Sequence, residues 1–406
     1  MKQSDYIYVQ SNEFKLNYDP TKKLDSGKAL VDACQAINWR DPKSGLFLAG
    51  WLALARIGGA LDIRPHIWLT GGAGSGKTTV LQLLVRKVLG TTEEYFNVHG
   101  ATTEAGIRQH VQSNAIPIVF DECEQEGPEA AARVSKIVEL ARSAWDNTDS
   151  FIAKGSASGV GQWYRPYFSI VFASIRVNLE KDADRSRVSV LEINGKQNNQ
   201  KSWKNFMEAL SKIDDDYAVS LLTRCVSLVD VIRASHKVLK RCLETKISSR
   251  YGDQVGSLLA GYWSLEHEVP ITEVEAIGLI SEIDLVDDKQ DAAMTDEQEC
   301  LNHLLTWKFR LQRSDGGWLE TTIQELLNPE DGVSDLGMKA LRTYGIVISE
   351  DAINVADNHS ELEKIYHQTR WSNAWRAAFL RIDKAKRSSI STGSRGSKMN
   401  SVKIPM

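Results

Sequence analysis

Two hydrophobic patterns alternate along the first half of the chain. Short runs of consecutive apolar residues, bounded by turn residues, predict buried strands, and these runs are RPHIWLT, YFNV, IPIVFDE and FSIVFASI. Between them, apolar residues recur every three or four positions, which predicts helices such as the one from Thr78 to Leu89, where Gly90 ends the pattern. This alternation predicts an α/β fold with a parallel sheet covered by helices on both faces.

The flanking regions follow other patterns. A strand is predicted over Tyr6 to Val9, and helices over residues 26 to 60, where Arg56 and several glycines interrupt the stretch GLFLAGWLALARIGGALDI and favour a buried helix over a membrane span. Residues 200 to 270 are predicted to be helical and to form a lid. The charged stretch EIDLVDDKQDAAMTDEQE reads as a linker. Beyond it, helices and then two strands in YGIVISEDAINVADNH give the order of a winged helix.

Composition narrows the functional classes. The chain has 406 residues, of which 42% are hydrophobic and 25% charged, as in ordinary globular proteins. A net charge of -4 excludes a protein that coats nucleic acid over its whole surface, although local basic patches remain compatible with it. The five cysteines are scattered without a CxxC pair, which fits a reducing cytoplasm, that of a bacterial host. The polar N-terminus lacks a signal-peptide core.

The stretch GGAGSGKT follows a predicted strand and opens a predicted helix, the context that a phosphate-binding loop requires. Its backbone N–H groups are expected to point at phosphate oxygens, while Lys77 neutralises the β- and γ-phosphates and Thr78 offers its hydroxyl to Mg²⁺. A glycine-rich turn without a ligand is the alternative. The predicted nucleotide-binding residues are Gly71, Gly72, Ala73, Gly74, Ser75, Gly76, Lys77, Thr78 and Thr79.

The strand IPIVFDE delivers two carboxylates to the edge of the sheet where ligands bind. Asp121 is expected to hold the magnesium through water, and Glu122 to take a proton from the water that attacks the γ-phosphate. Adjacent carboxylates after a strand also occur as solvated helix caps. Their pairing with a phosphate loop favours the catalytic interpretation.

Further candidates follow the next strand. Ser174 ends FSIVFASI and is expected to reach the attacking water or the γ-phosphate, with a strand-capping role as the alternative and Asn178 as the competing candidate. Arg185 and Arg187 precede another apolar run. Spaced two apart, they point to opposite faces if extended, so at most one reaches a given site. Arg187 is favoured to stabilise phosphoryl-transfer charge in a neighbouring subunit, and ordinary surface arginines are the alternative.

The stretch SFIAKGSASGVGQWYRPYF predicts a hairpin with a glycine-rich tip. Lys154 lies at its near edge and Arg165 in its aromatic run. Trp163 and Tyr164 are expected to anchor the base of the hairpin by packing. A surface hairpin without a ligand is the alternative.

This succession of phosphate loop, carboxylate pair, hairpin, polar-ended strand and arginine pair resembles an AAA+ ATPase. The hairpin resembles the pre-sensor-1 hairpin of superfamily 3 and MCM-like replicative helicases. More narrowly, residues 45 to 195 resemble the helicase-like domain of phages, prophages and mobile genetic elements, through GWLALA, HIWLTGGAGSGKTT, PIVFDE, AKGSASG and DRSRVSVLEI. The resemblance implies ATP and Mg²⁺ as cofactors, a hexameric ring, and hairpins that contact the DNA backbone in a central channel. It makes Lys154 and Arg165 candidate nucleic-acid contacts.

The chain therefore divides into an N-terminal segment (1–44), an AAA+ P-loop ATPase core (45–200), a helical lid with linker (201–290), a winged-helix-like domain (291–383) and a basic flexible tail (384–406). In the winged-helix-like domain, Lys339 and Arg342 are candidate phosphate contacts, with a protein-interaction module as the alternative. The tail residues that could hold DNA loosely are Lys384, Lys386, Arg387, Arg395 and Lys398, and a solvated tail explains them equally well.

With this resemblance, the leading hypothesis is an ATP-driven DNA helicase for the replication of a phage or mobile element, with a primase or polymerase as a possible partner and no membrane. The alternative is a loader or assembly switch, in which ATP binding orders an oligomer that delivers another protein to DNA. An ATPase of a defence system is a third interpretation. Unwinding of a forked duplex separates the first two.

Overall fold

The computed structural model divides into two compact units, residues 1–291 and 292–406. It describes residues 16–123, 127–147, 151–155, 161–177, 179, 181–195, 200–244, 248–283, 285, 296–312, 318–326, 341–349, 351–367, 369, 371–372, 374–392 and 397–405. The predicted strand over Tyr6 to Val9 lies outside these residues.

A five-stranded sheet organises the first unit, and neighbouring strands in it run parallel, in the order β2-β3-β6-β1-β7. The strands of this unit are β1 (His66–Thr70), β2 (Phe96–His99), β3 (Ile118–Asp121), β4 (Ile152–Gly155), β5 (Gly161–Tyr164), β6 (Ile170–Ser174) and β7 (Val188–Glu192). Every residue of β1, β3 and β6 is buried, because both faces of the sheet are covered. The predicted parallel α/β fold is confirmed.

The first unit also contains helices, several of which cover the two faces of this sheet. They are α1 (Lys28–Gln35), α2 (Lys43–Leu54) with a 3-10 turn (Ala55–Ala60), α3 (Lys77–Val80), a π-helical turn (Leu81–Val85), α4 (Arg86–Leu89), α5 (Glu104–Val111), α6 (Pro128–Ala144), α7 (Asp182–Arg185), α8 (Gln200–Leu210), α9 (Tyr217–Ser227), α10 (Val229–Glu244), α11 (Ser249–Glu266) and α12 (Glu273–Glu282).

Alternate strand residues enter separate cores. Ile67 and Val171 face one core with α2, α9 and α11, whereas Trp68 and Phe172 face the other with α5 and α6. This follows from the two-residue period of a strand. The apolar stretch read as a buried helix is α2, and all its residues except the first are buried.

The helical region after residue 200 shares the core of the sheet, because α11 lies directly against α2. A Cβ atom added at Gly50 would lie 1.9 Å from the carbonyl oxygen of Leu258, and one added at Gly261 would lie 2.5 Å from the carbonyl oxygen of Gly50. Only glycine permits so close an approach of two helix backbones. Residues 201–283 and the sheet thus belong to one compact unit.

The second unit contains helices Asp296–Thr306, Ile323–Leu326, Ser360–Tyr366 and Trp375–Phe379, a hairpin of β8 (Phe309–Gln312) and β9 (Trp318–Thr321), and the strands β10 (Ile346–Ser349), β11 (Ala352–Ala356), β12 (Lys386–Thr392) and β13 (Ser397–Pro405). The last four form an antiparallel sheet in the order β10-β11-β13-β12. The two predicted strands β10 and β11 are therefore part of a larger sheet rather than a separate wing.

The prediction of a mobile tail from residue 384 is wrong. β13 pairs with β11 on one side and with β12 on the other, so the segment completes the sheet. Ile390, Val402 and Ile404 are buried in the core of the second unit. The serine- and lysine-rich composition conceals this alternation of apolar and polar positions, which is the feature that makes a strand.

Among the described residues, no helix combines the length and the apolar character that crossing a membrane requires.

Candidate nucleotide-binding site

The phosphate loop leaves the carboxyl end of β1 and turns into α3. Gly71, Gly74 and Gly76 have φ angles of 149°, 72° and 104°. At Gly71, a Cβ atom would also lie 2.5 Å from the carbonyl oxygen of Ile193 and 2.8 Å from Ser75 Oγ. These positions therefore need glycine, both for the left-handed turns and for the space at the base of the loop.

The start of the helix leaves donors available in the loop. The first helical hydrogen bond is donated by the N–H of Val80 to the carbonyl oxygen of Gly76, at 2.9 Å, so the N–H groups of Lys77, Thr78 and Thr79 precede the helical ladder. Such N–H groups at the positive end of a helix bind phosphate. The side chain of Thr78 is exposed beside them.

Two side chains in the loop fit an anionic ligand. The Lys77 ammonium donates to the carbonyl oxygens of Gly71 at 2.8 Å and Gly72 at 3.2 Å, so it lies across the loop. The Ser75 hydroxyl is buried and makes no hydrogen bond within the part of the chain that the structure describes. A buried hydroxyl is costly unless paired, so its place inside the loop fits a phosphate group as its partner.

The predicted carboxylates follow β3. Asp121 is 5% exposed, and its Oδ1 accepts a hydrogen bond of 3.0 Å from the backbone N–H of Glu122. Glu122 is exposed and has a φ of 55°, a left-handed conformation that non-glycine residues adopt at a cost of about 1–3 kcal/mol. Strained residues of this kind concentrate at functional sites. The turn separates a buried carboxylate from an exposed one.

Ser174 ends β6, which lies between β1 and β3 in the sheet. It is therefore placed between the glycine-rich loop that follows β1 and the carboxylates that follow β3. Its buried Oγ accepts a hydrogen bond of 2.7 Å from Trp68 Nε1 and donates one of 2.6 Å to the carbonyl oxygen of Arg176. The hydroxyl is thus engaged in the fold, and a role in catalysis stays a prediction. Asn178, the competing candidate, lies outside the described residues.

Arg86 is a neighbour of the carboxylates that the sequence did not indicate. Its Nη2 lies 3.6 Å from Asp121 Oδ2 and donates a hydrogen bond of 3.1 Å to Asn97 Oδ1 on β2. The guanidinium therefore links α4 to the ends of β2 and β3. Contacts between separate elements leave no local sequence pattern, which is why no signal marked this residue.

The two candidate arginines have different surroundings. Arg187 donates from Nη1 to the carbonyl oxygen of Ala183 at 2.6 Å, and its guanidinium carbon lies 4.9 Å from the centre of the Trp145 ring. Burial lowers the pKa of Arg187 below its ordinary value. The favoured arginine thus packs against its own subunit.

Arg185 donates from Nε to the carbonyl oxygen of Leu179 at 2.7 Å. It also lines a cavity of about 700 Å³ beside β7, together with Arg40 and Glu192.

The predicted hairpin is present as β4 and β5, with Lys154 opposite Gln162 in the ladder. Its tip, residues 156–160, and the Lys154 side chain lie outside what the structure describes. Tyr164 is buried under the Arg108 guanidinium, 4.5 Å from the ring centre, so the expected packing is found there. Trp163 is 68% exposed, so the expectation that it packs at the base is wrong.

The remaining basic candidates lie mostly at the surface. The Arg165 guanidinium carbon is 5.7 Å from the Phe151 ring centre and 5.4 Å from that of Tyr167. Arg342 is exposed, and Lys339 lies outside the described residues. Of the tail residues, Arg395 also lies outside them, and the exposed ones are Lys384, Lys386, Arg387 and Lys398.

The fold is shared with proteins of known structure. No protein-family model and no curated protein matches the sequence. The active helicase Cch of SCCmec type IV has a TM-score of 0.51 and 13% identity, over 100% of this chain and 74% of the helicase. The C-terminal region of NrS-1 has a TM-score of 0.33 and 11% identity, over 94% of this chain and 77% of its own length. At these identities the first similarity shows a common fold, and the second supports no argument.

Sheet, glycine-rich loop and helices together define an α/β fold with a parallel five-stranded sheet. A structure of this type is also found in a helicase.

Proposed function

We propose that this protein is an ATP-dependent DNA helicase that works as a ring. The observation that carries the proposal is the convergence, at the carboxyl edge of one parallel sheet, of a phosphate loop and a buried–exposed carboxylate pair. The structural similarity to an active helicase adds support. Ligands bind at this edge in open parallel sheets, and a loop of this type binds a nucleoside triphosphate.

Each residue has a role that follows from its surroundings. Lys77 turns from the loop carbonyls to the β- and γ-phosphates, and Thr78 and buried Asp121 hold Mg²⁺, which neutralises charge on the phosphates. Among the described residues, no group of three or more histidine, cysteine or acidic side chains is placed to hold a metal ion, which fits an ion held largely by phosphate and water. Exposed Glu122 accepts the proton of the attacking water.

In a ring of subunits, the adjacent subunit supplies a further positive charge to the nucleotide site. An arginine from the adjacent subunit stabilises the transferred phosphoryl group, as arginine's fixed charge and planar fork allow. Arg185, on the cavity beside β7, fits this role better than Arg187, which is held on Trp145. Six subunits form the ring, with their hairpins directed at one DNA strand. This motor unwinds DNA for the replication of a phage or mobile element in a bacterial cytoplasm, together with a primase or polymerase.

The direct test is the variant Glu122→Gln, with Glu129→Gln as a matched control, because Glu129 is also exposed but lies in the first turn of α6. Glu122→Gln should bind a fluorescent ATP analogue normally and lose about 10²–10⁴-fold in ATP hydrolysis, the usual contribution of a general base. It should not unwind a forked duplex. Unwinding by Glu122→Gln at the rate of the control would refute the assignment.

The same assay separates the helicase from a loader. In a loader, ATP binding orders an oligomer that delivers another protein to DNA, without sustained displacement of a strand. Lys154→Ala that keeps DNA-stimulated hydrolysis and loses unwinding supports the helicase. Wild-type protein that hydrolyses ATP yet unwinds no fork supports the loader.

A further inference from the structure

One face of the hairpin β4–β5 carries exposed aromatic side chains. Ala153 pairs with Trp163 and Ile152 with Tyr164, so Phe151 lies opposite Arg165 at the next position. Alternate residues of a strand point to the same face, which places Phe151 and Trp163 together. Their exposed fractions are 56% and 68%. Tyr164, at the intervening position, is buried instead.

A cation completes this face. The Arg165 guanidinium lies over both Phe151 and Tyr167, at 5.7 and 5.4 Å from the ring centres, within the range of cation–π contacts. The flanking aromatic rings hold the long side chain beside Phe151. The face therefore combines the exposed rings of Phe151 and Trp163 with the positive charge of Arg165, which is held beside Phe151.

We propose that Phe151, Trp163 and Arg165 form a stacking platform for the bases of single-stranded nucleic acid. The proposal deepens the proposed function and rests on it. Exposed aromatic rings beside an arginine are features with which proteins bind single strands, because every base has a π-face and each phosphate a negative charge.

The platform acts differently from a lysine that contacts phosphate. Stacking holds a base without reading its identity, so it suits a motor that moves along any sequence. It also releases no counterion, since no phosphate is neutralised by Trp163. Loss of Trp163 should therefore weaken binding at every salt concentration and leave the slope of log affinity against log salt unchanged.

The test measures binding of fluorescein-labelled oligothymidylate by anisotropy, in the presence of a non-hydrolysable ATP analogue, at several salt concentrations. Trp163→Ala should bind roughly 5- to 100-fold more weakly, as removal of a stacking ring does, and Trp163→Phe should retain most of the affinity. The control Trp203→Ala removes a ring that is 51% exposed on α8, and it should bind like the wild type.

An abasic oligonucleotide of the same length tests stacking itself. The wild type should bind it more weakly than oligothymidylate, and Trp163→Ala should bind the two nearly equally. The proposal would be overturned if Trp163→Ala lost affinity equally for oligothymidylate and for the abasic oligonucleotide. It would also be overturned if Trp163→Ala bound oligothymidylate with the affinity of the wild type. A Trp163→Ala variant that fails to form the ATP-dependent oligomer, measured by light scattering, would assign the face to a contact between copies instead.

The outcomes also separate this proposal from the helicase itself. If the wild type hydrolyses ATP and unwinds a fork while the Trp163 variants bind normally, only the platform is refuted. If the wild type neither hydrolyses ATP nor binds the oligonucleotide, both proposals fail.

Discussion

Replacing Ser174 with alanine separates a structural from a catalytic role of this hydroxyl. In the structure the Oγ atom accepts from Trp68 Nε1 at 2.7 Å and donates to the carbonyl oxygen of Arg176 at 2.6 Å. Both Ser174 and Trp68 are buried. The variant Ser174→Ala removes the hydroxyl that takes part in both hydrogen bonds. The indole N–H of Trp68 and the carbonyl oxygen of Arg176 then lose this partner.

The magnitude follows from the groups that are left unpaired. A buried donor or acceptor that loses its partner costs about 1–3 kcal/mol of folding free energy. The indole of Trp68 has no access to water, because Trp68 is fully buried and stacks on Phe172 at 4.7 Å between ring centres. With a urea dependence of about 3 kcal/mol per molar, the unfolding midpoint of the first unit should fall by roughly 0.3–1 M.

The assay is urea unfolding followed by tryptophan fluorescence, with ATP hydrolysis measured under conditions where the variant stays folded. The matched control is Ser169→Ala. Ser169 is fully buried, and its hydroxyl makes no hydrogen bond to any described residue, so this change should cost little or stabilise the protein. If the hydroxyl of Ser174 serves the fold, folded Ser174→Ala should hydrolyse ATP within about threefold of the wild type.

Two results would refute this reasoning. An unfolding midpoint equal to that of the wild type would mean that the Trp68 hydrogen bond does not stabilise the fold. A loss of hydrolysis greater than about 100-fold in fully folded Ser174→Ala would instead return the residue to the catalytic role predicted from its place at a strand end.

Three further predictions follow from single positions. Gly71→Ala should weaken binding of a fluorescent ATP analogue at least about tenfold, because its Cβ atom would meet the carbonyl oxygen of Ile193 at a left-handed φ. The control Gly195→Ala, outside the loop and with no atom within 4 Å of its Cβ, should bind the analogue normally. Gly50→Ala should lower the free energy of unfolding by about 3 kcal/mol or more, because α2 and α11 must separate. Gly278→Ala, at an exposed position of α12, should raise it by about 0.5–1 kcal/mol, and equal urea midpoints would contradict both. Burial lowers the pKa of His66 from 6.5 to about 3, so below pH 6.5 the unfolded chain takes up a proton that the folded chain excludes. The free energy of unfolding should therefore fall by up to about 1.4 kcal/mol per pH unit from pH 6.5 downwards. His66→Gln should lack this contribution to the slope of the urea midpoints measured from pH 7 to 4.

Local pattern was sufficient for the sheet and the phosphate loop. Runs such as IPIVFDE are apolar because both faces of a parallel strand are buried, and the glycines of the loop are needed by its own φ angles. Both features depend on residues that are close together in the sequence. The fold class and the position of Lys77 at the start of a helix could therefore be predicted.

Contacts between distant segments could not be predicted in this way. The insertion of β6 beside β1 brings Trp68 to the Ser174 hydroxyl, 106 positions away in the sequence, and the approach of α4 to β3 brings Arg86 to Asp121. The exposure of Trp163 also depends on which face of the hairpin packs against Arg108. Such facts are set by tertiary packing, which leaves no periodic signal.

The central place of β13 in the second sheet has a consequence for synthesis on the ribosome. All strands of the first sheet have been synthesised once Glu192 has been added, but β11 and β12 each pair with β13, which begins only at Ser397. Until those residues emerge, a nascent chain presents an edge of β11 and an unpaired β12, both of which are templates for aggregation. Chaperones that bind extended segments are therefore expected to engage β11 and β12 until β13 has emerged.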